Sequence, residues 1–238
     1  MADPFNNPYQ APLNSSEPPS GDGGDFTIRR ALSDGWNATV RNFPLWLGVG
    51  IVAVLIAGIS AATVIGYFLV LPVLGFGGIK FLLNMLDGKA EFNDLFAGFS
   101  NYGATLGRML LLGMMLVLLG LASESVLFIG SWLGSSLVTL LGSFVYLASL
   151  IFVILPTSFA CFFAVDRDLS ALDALTASWR ISRGKLGTLV LLALLAGLIA
   201  VAGVLALGVG VLFTGTMSYV MFASAYRQMV GPRPAAEL

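Results

Sequence analysis

Few residues in this chain have side chains suited to chemistry, and their spacing is informative. Lys80, Asn84 and Asp87 fall at i, i+4 and i+7, so a helix would carry an amine, an amide and a carboxylate on one face. Such a stripe can line a polar vestibule. It equally suits an interfacial anchor, with the Lys80 ammonium snorkelling to lipid headgroups. Glu124, between Ser123 and Ser125, lies in a long apolar run. Buried in a bilayer it would be a proton or ion site; at the bilayer surface it would be a solvated carboxylate. Its position, about 20 residues or 30 Å into a helix, favours the surface.

Other chemistries lack their residues. There is no His, the commonest general base and transition-metal ligand. The single Cys161 can form neither an intrachain disulfide nor a thiolate zinc site. Neither a Gly-rich phosphate loop nor a Ser/Lys or Cys/His pair stands out, and the apolar blocks hold no paired carboxylates. The sequence therefore predicts no catalytic residue, no metal and no cofactor, and a protein that is not an enzyme.

The elements that would position these residues are membrane spans. The 238 residues are 57% hydrophobic and 11% charged, against about 25% charged in soluble domains. Mean hydropathy is +0.90. Twelve Lys and Arg against thirteen Asp and Glu leave no basic field for nucleic acid. Residues 1–25 differ: they hold Pro4, Pro8, Pro12, Pro18 and Pro19 and four acidic residues, with no Lys or Arg. That composition predicts a disordered acidic tail rather than a secretory signal peptide. Its run 7–12 reads either as a docking peptide for a protein partner or as plain solvated chain.

Apolar blocks occupy residues 43–86, 104–165 and 186–229, separated by polar segments 87–103 and 166–185. Each block is at least twice the roughly 20 residues needed to span a bilayer. With two helices per block, every Lys and Arg falls on one side, the positive-inside pattern. A seventh helix would put Arg180, Arg183 and Lys185 outside. The predicted fold is all-α: six transmembrane helices in three hairpins, spanning residues 26–229, followed by a short tail at 230–238. It is multi-pass in the inner (plasma) membrane, with both termini cytoplasmic. The middle helices, at roughly 27 residues and 40 Å each, exceed the ~30 Å hydrocarbon core. Pro72 and Pro156 fall inside spans and predict kinks.

A short amphipathic stretch precedes each hairpin: residues 27–41, 91–102 and 170–183. Each places a Leu four residues before an aromatic, as Leu32/Trp36, Leu95/Phe99 and Leu175/Trp179. This predicts three interfacial helices in a weak internal repeat. Trp36, Phe99 and Trp179 would dip into the cytoplasmic leaflet, with Arg180, Arg183 and Lys185 facing headgroups. Ser170 and Asp173 resemble a capping box.

The pattern Ala174-Leu175, Ser178-Trp179, Gly184-Lys185, Gly208-Val209-Gly210 and Ala225-Tyr226-Arg227, with 95–99 before it, carries a resemblance. It is similar to a broad group of bacterial six-helix membrane proteins related to the membrane domain of some glycerophosphoryl diester phosphodiesterases. The resemblance covers residues 27–229 and implies a fold, not an activity. The catalytic barrel of those phosphodiesterases has no room here, and their His and clustered carboxylates are missing.

The residues themselves predict a non-enzymatic scaffold or interaction protein. Its partners would be the lipid bilayer and a protein bound through the cytoplasmic face or the N-terminal tail. The alternative is a transporter or channel for a neutral or lipidic solute, because the spans lack the midplane charge usual in ion-coupled carriers.

Overall fold

The computed structural model describes residues 26–205 and 209–231. The predicted acidic tail, Gly208 and residues 232–238 lie outside these. The described residues are helical, without strands. Helix α1 spans Ile28–Arg41, α2 Phe43–Ala61 and α3 Val64–Leu86. A 3-10 helix, Phe92–Phe99, leads into α4, Tyr102–Trp132. Next come α5, Ser136–Ser149, a π-helical turn at Leu150–Ile154, α6, Leu155–Thr157, and α7, Ala160–Asp166. Helices α8, Ala171–Ser182, α9, Leu186–Leu205, and α10, Val209–Val230, complete the chain.

Among the described residues, five helices are long and apolar enough to cross a membrane: Phe43–Ala61, Ile65–Leu86, Tyr102–Trp132, Ser136–Asp166 and Leu186–Val204. They are apolar all round, as lipid-embedded helices are. Helix α10 has 22 residues and is not among the five. It is rich in hydroxyls, and these bond backbone: Ser218 donates to the carbonyls of Ala196 and Thr214 at 3.0 and 2.9 Å.

Helix α2 packs along α3, α4 along α5, and α9 along α10. Short segments close the arrangement: α1 lies on α10, the 3-10 helix on α3, and α8 on α6 and α7. Each amphipathic segment thus rests on the helix that ends the preceding apolar block, and α1 completes the cycle on the last. One buried cluster, including Phe159, Phe163, Leu189, Met221 and Tyr226, lies where α7 to α10 meet. A second, including Val49, Phe81, Met85, Leu95 and Val220, joins α2, α3 and the 3-10 helix to α10. Large apolar side chains along α4 and α5, such as Phe128, Trp132, Leu137 and Phe144, are exposed. A surface of that kind belongs against lipid tails.

Glycines set the closest approaches. A Cβ on Gly77 of α3 would collide with the Leu95 carbonyl, and one on Gly98 would lie 2.6 Å from the Val73 carbonyl oxygen. The 3-10 helix seats on α3 because both partners lack side chains there. Gly134, at φ +62°, makes the turn between α4 and α5, a conformation glycine adopts without strain.

Three expectations change. Within residues 91–102 the segment Phe92–Phe99 is a 3-10 helix rather than an α-helix. With three residues per turn, positions four apart no longer share a face. Leu95 is accordingly 2% exposed and Phe99 37%, and Phe99 instead stacks on Tyr102 at 6.1 Å. Helix α4 has 31 residues rather than 27, about 46 Å by its rise. The helix around Pro156 is interrupted outright, by the π-helical turn and again at Ser158, while Pro72 lies inside a continuous α3. Hydroxyls supply replacement partners at that break. Thr157 donates to the carbonyls of Val153 and Ile154 at 3.0 and 2.9 Å. Ser178 and Ser182 of α8 both donate to the Pro156 carbonyl, at 2.6 and 3.3 Å. Membrane helices tolerate proline when freed backbone groups are bonded in this way.

Candidate functional site

Helices α3, α7 and α10 end close together, and each carries a charge at its end. Asp87 follows the last residue of α3, Asp166 closes α7, and Arg227 lies in the last turn of α10. A carboxylate at a helix C-terminus opposes the helix dipole, so Asp166 needs cations beside it. Arg227 supplies one, with Nη1 2.9 Å from Asp166 Oδ1, and its Nη2 reaches Asp87 Oδ2 at 2.8 Å. The Tyr226 hydroxyl donates to Asp166 Oδ2 at 2.9 Å, and Arg167 Nε lies 3.3 Å from the same oxygen. The Asp166 side chain is 4% exposed, that of Arg227 13% and that of Asp87 32%.

Aromatic packing fixes Tyr226. Its ring stacks on Phe162 at 5.5 Å and meets Phe163 edge-on at 5.1 Å. On the far side, Arg108 of α4 pairs with Asp168 and donates to the Ala164 carbonyl at 3.2 Å. That carbonyl belongs to the last turn of α7, where helical partners run out. Among the described residues, the buried Nε–H groups of Arg167 and Arg227 meet no hydrogen-bond acceptor.

Two cavities flank the network, and Asp87 and Arg227 line both. One, about 520 Å³, lies against α3 and α7 and takes in Lys80, Asn84 and Lys89. The other, about 630 Å³, lies between α1 and the ends of α3 and α10. Arg30, Asp34, Asn37 and Arg41 face it from α1. Asp34 is tied to α10 by the Ser224 hydroxyl at 2.7 Å.

The predicted stripe of Lys80, Asn84 and Asp87 does come together, as the wall of the first cavity. Glu124 stands apart, exposed on α4 sixteen residues beyond Arg108, about 24 Å along the helix. Trp36 meets Phe213 edge-on at 5.4 Å. Phe213 lies fourteen residues from Arg227, about 21 Å along α10. Trp179 is half-buried beside the exposed Arg180; Arg183 is exposed and Lys185 half-buried. Ser170 accepts from the Asp173 amide at 3.3 Å and caps α8.

The central group of Asp166, Tyr226 and Arg227 was not singled out from sequence as a site. The available signal was positional: a charge stands where each apolar block ends, acidic in the first two and basic in the third. No family model matches the chain, and comparison with curated proteins and with solved structures likewise gives no match.

Proposed function

We propose that this is a multi-pass inner-membrane protein of six transmembrane helices in three hairpins, with both termini cytoplasmic, acting by contact rather than by catalysis. Helix α10 is the sixth span. Trp179, Arg180, Arg183 and Lys185 anchor α8 at the headgroups, with Phe99 contributing from the 3-10 helix, while Trp36 enters the same leaflet more deeply, against Phe213. One observation carries the functional reading: the carboxylates of the polar network are engaged by guanidinium groups, while exposed cations and amides remain at the same end. A cationic, hydrogen-bonding surface of this kind suits recognition.

The test is purification in mild detergent with identification of co-purifying proteins and lipids, alongside solute uptake into liposomes. A partner lost on deletion of residues 1–25 or on substitution of Arg30 and Arg41, with no uptake, is the expected result. Uptake abolished by Lys80→Ala would overturn this reading and favour a carrier. The two cavities beside Arg227 are the observation behind that second reading.

A further inference from the structure

The cavity between α3 and α7 has an unbalanced charge. Five cations, Lys80, Lys89, Arg108, Arg167 and Arg227, line it or pair with its walls, against three carboxylates, Asp87, Asp166 and Asp168. The three carboxylates are all taken by arginines. Among the described residues, neither the Lys80 nor the Lys89 ammonium has a carboxylate within 4.0 Å. Glu91, close to Lys89 in sequence, is occupied in capping the 3-10 helix with Asp94. Two positive charges therefore remain uncommitted, and the Asn84 amide lies between them along the chain.

Depth adds to the argument. Lys80 stands seven residues before Asp87 on α3, about 10 Å inside the polar end. A cation at that depth in a membrane protein is costly unless it finds an anion or water. The cavity, about 520 Å³, falls within the ~300–1,000 Å³ of small-molecule sites and is far too large for a single halide. Lysine ammoniums act as point charges for phosphate oxygens, and phosphate is the anion found at this level of a bilayer.

Resting on the membrane reading above, we propose that Lys80, Asn84 and Lys89 form a binding site for a phosphate-bearing anion. Lys80 holds the phosphate from below, Lys89 closes over it at the mouth, and Asn84 donates its amide N–H. The Arg227 bridge to Asp87 and Asp166 is the rigid back wall.

The experiment uses the purified full-length protein in a nonionic detergent. It is titrated with dihexanoyl phosphatidic acid and, separately, with inorganic phosphate; dihexanoyl phosphatidylcholine is the zwitterionic comparison. Tm reports binding. The expected result is a saturable rise in Tm, with the apparent affinity weakened about tenfold by Lys80→Gln and again by Lys89→Gln. Lys80→Arg keeps the binding, and Arg29→Gln, outside the cavity, leaves it unchanged. Saturation by phosphatidic acid alone identifies a lipid headgroup as the source; saturation by inorganic phosphate as well identifies the phosphate group itself. No saturable rise with either, or a rise that survives the Lys80→Gln, Lys89→Gln double variant, overturns the proposal. The ligand-free Tm of each variant separates lost binding from lost fold. Failure here leaves the contact reading to its own test of partner recovery and liposome uptake.

Discussion

Arg227 holds Asp166 with one terminal nitrogen and Asp87 with the other, at 2.9 and 2.8 Å, so one side chain ties together the ends of α3, α7 and α10. The fork geometry of a guanidinium is what permits two carboxylates on different helices to be engaged at once. Asp166, almost fully buried, depends on that contact more than the partly exposed Asp87 does.

The stability consequence follows from burial. Arg227→Met leaves the Asp166 carboxylate with only Tyr226 and Arg167 Nε at 3.3 Å, and should cost about 3–5 kcal/mol, as expected for a buried charge that loses its main partner. Arg227→Lys should recover only part of this, because an ammonium cannot span both carboxylates. Asp87→Asn should cost about 1 kcal/mol or less, since solvent screens that pair. Thermal melts in detergent give the order. Equal losses for Arg227→Met and Asp87→Asn would contradict the central role of Asp166.

Adjacent glycines on α3 should behave oppositely. A Cβ on Gly77 meets the Leu95 backbone, whereas one on Gly78 meets nothing within 4 Å. Gly77→Ala must push the 3-10 helix off α3 and should cost about 1–3 kcal/mol, as overpacking does. Gly78→Ala should be neutral or slightly stabilising, because alanine favours helix by about 1 kcal/mol over glycine. Melting temperatures of the two variants are the readout, and a larger loss at Gly78 would refute the contact.

The long apolar helices were legible because lipid demands unbroken apolar runs of about 20 residues. The stripe of Lys80, Asn84 and Asp87 was legible because it lies within one helix, where spacing alone determines the face. Arg227, Asp166 and Asp87 are 61 and 140 residues apart in their pairings, and helical spacing carries no information about such separations. The 3-10 helix escaped for a different reason. Leu95 and Phe99 read as an α-helical pair, but the segment seats on α3 through Gly77 against Leu95 and Gly98 against Val73, contacts that its own side-chain spacing does not encode.

Tryptophan depth separates two segments that look alike in sequence. Trp36 rests on Phe213, about 21 Å up α10 from Arg227, whereas Trp179 sits beside the exposed Arg180. In variants that keep a single tryptophan, brominated lipids should quench Trp36 most strongly with bromines deeper along the acyl chain. Trp179 should respond most to bromines near the headgroup. Equal depths for the two rings would mean that α1 lies flat on the surface and that its contact with α10 is lost in the bilayer.

The sixth span can be tested by the sidedness of its flanks. In a Cys161→Ala background, Ala90→Cys should label from the cytoplasmic side, and Ala62→Cys and Ser135→Cys from the opposite side. The decisive pair is Gly184→Cys, just before α9, and Ala235→Cys, beyond α10. If both helices cross, the two cysteines label from the same side, because two crossings return the chain. If α10 does not cross, they label from opposite sides. The charge distribution favours the first outcome. Arg180, Arg183 and Lys185 precede α9, Arg227 and Arg233 lie at or beyond the end of α10, and no Lys or Arg lies between Leu186 and Tyr226. Holding both basic groups on the cytoplasmic side satisfies the positive-inside preference, and the Arg227 bridge to Asp87 keeps the end of α10 level with the end of α3. Labelling of Ala235→Cys from the side of Ala62→Cys would therefore break the six-span fold and the network together.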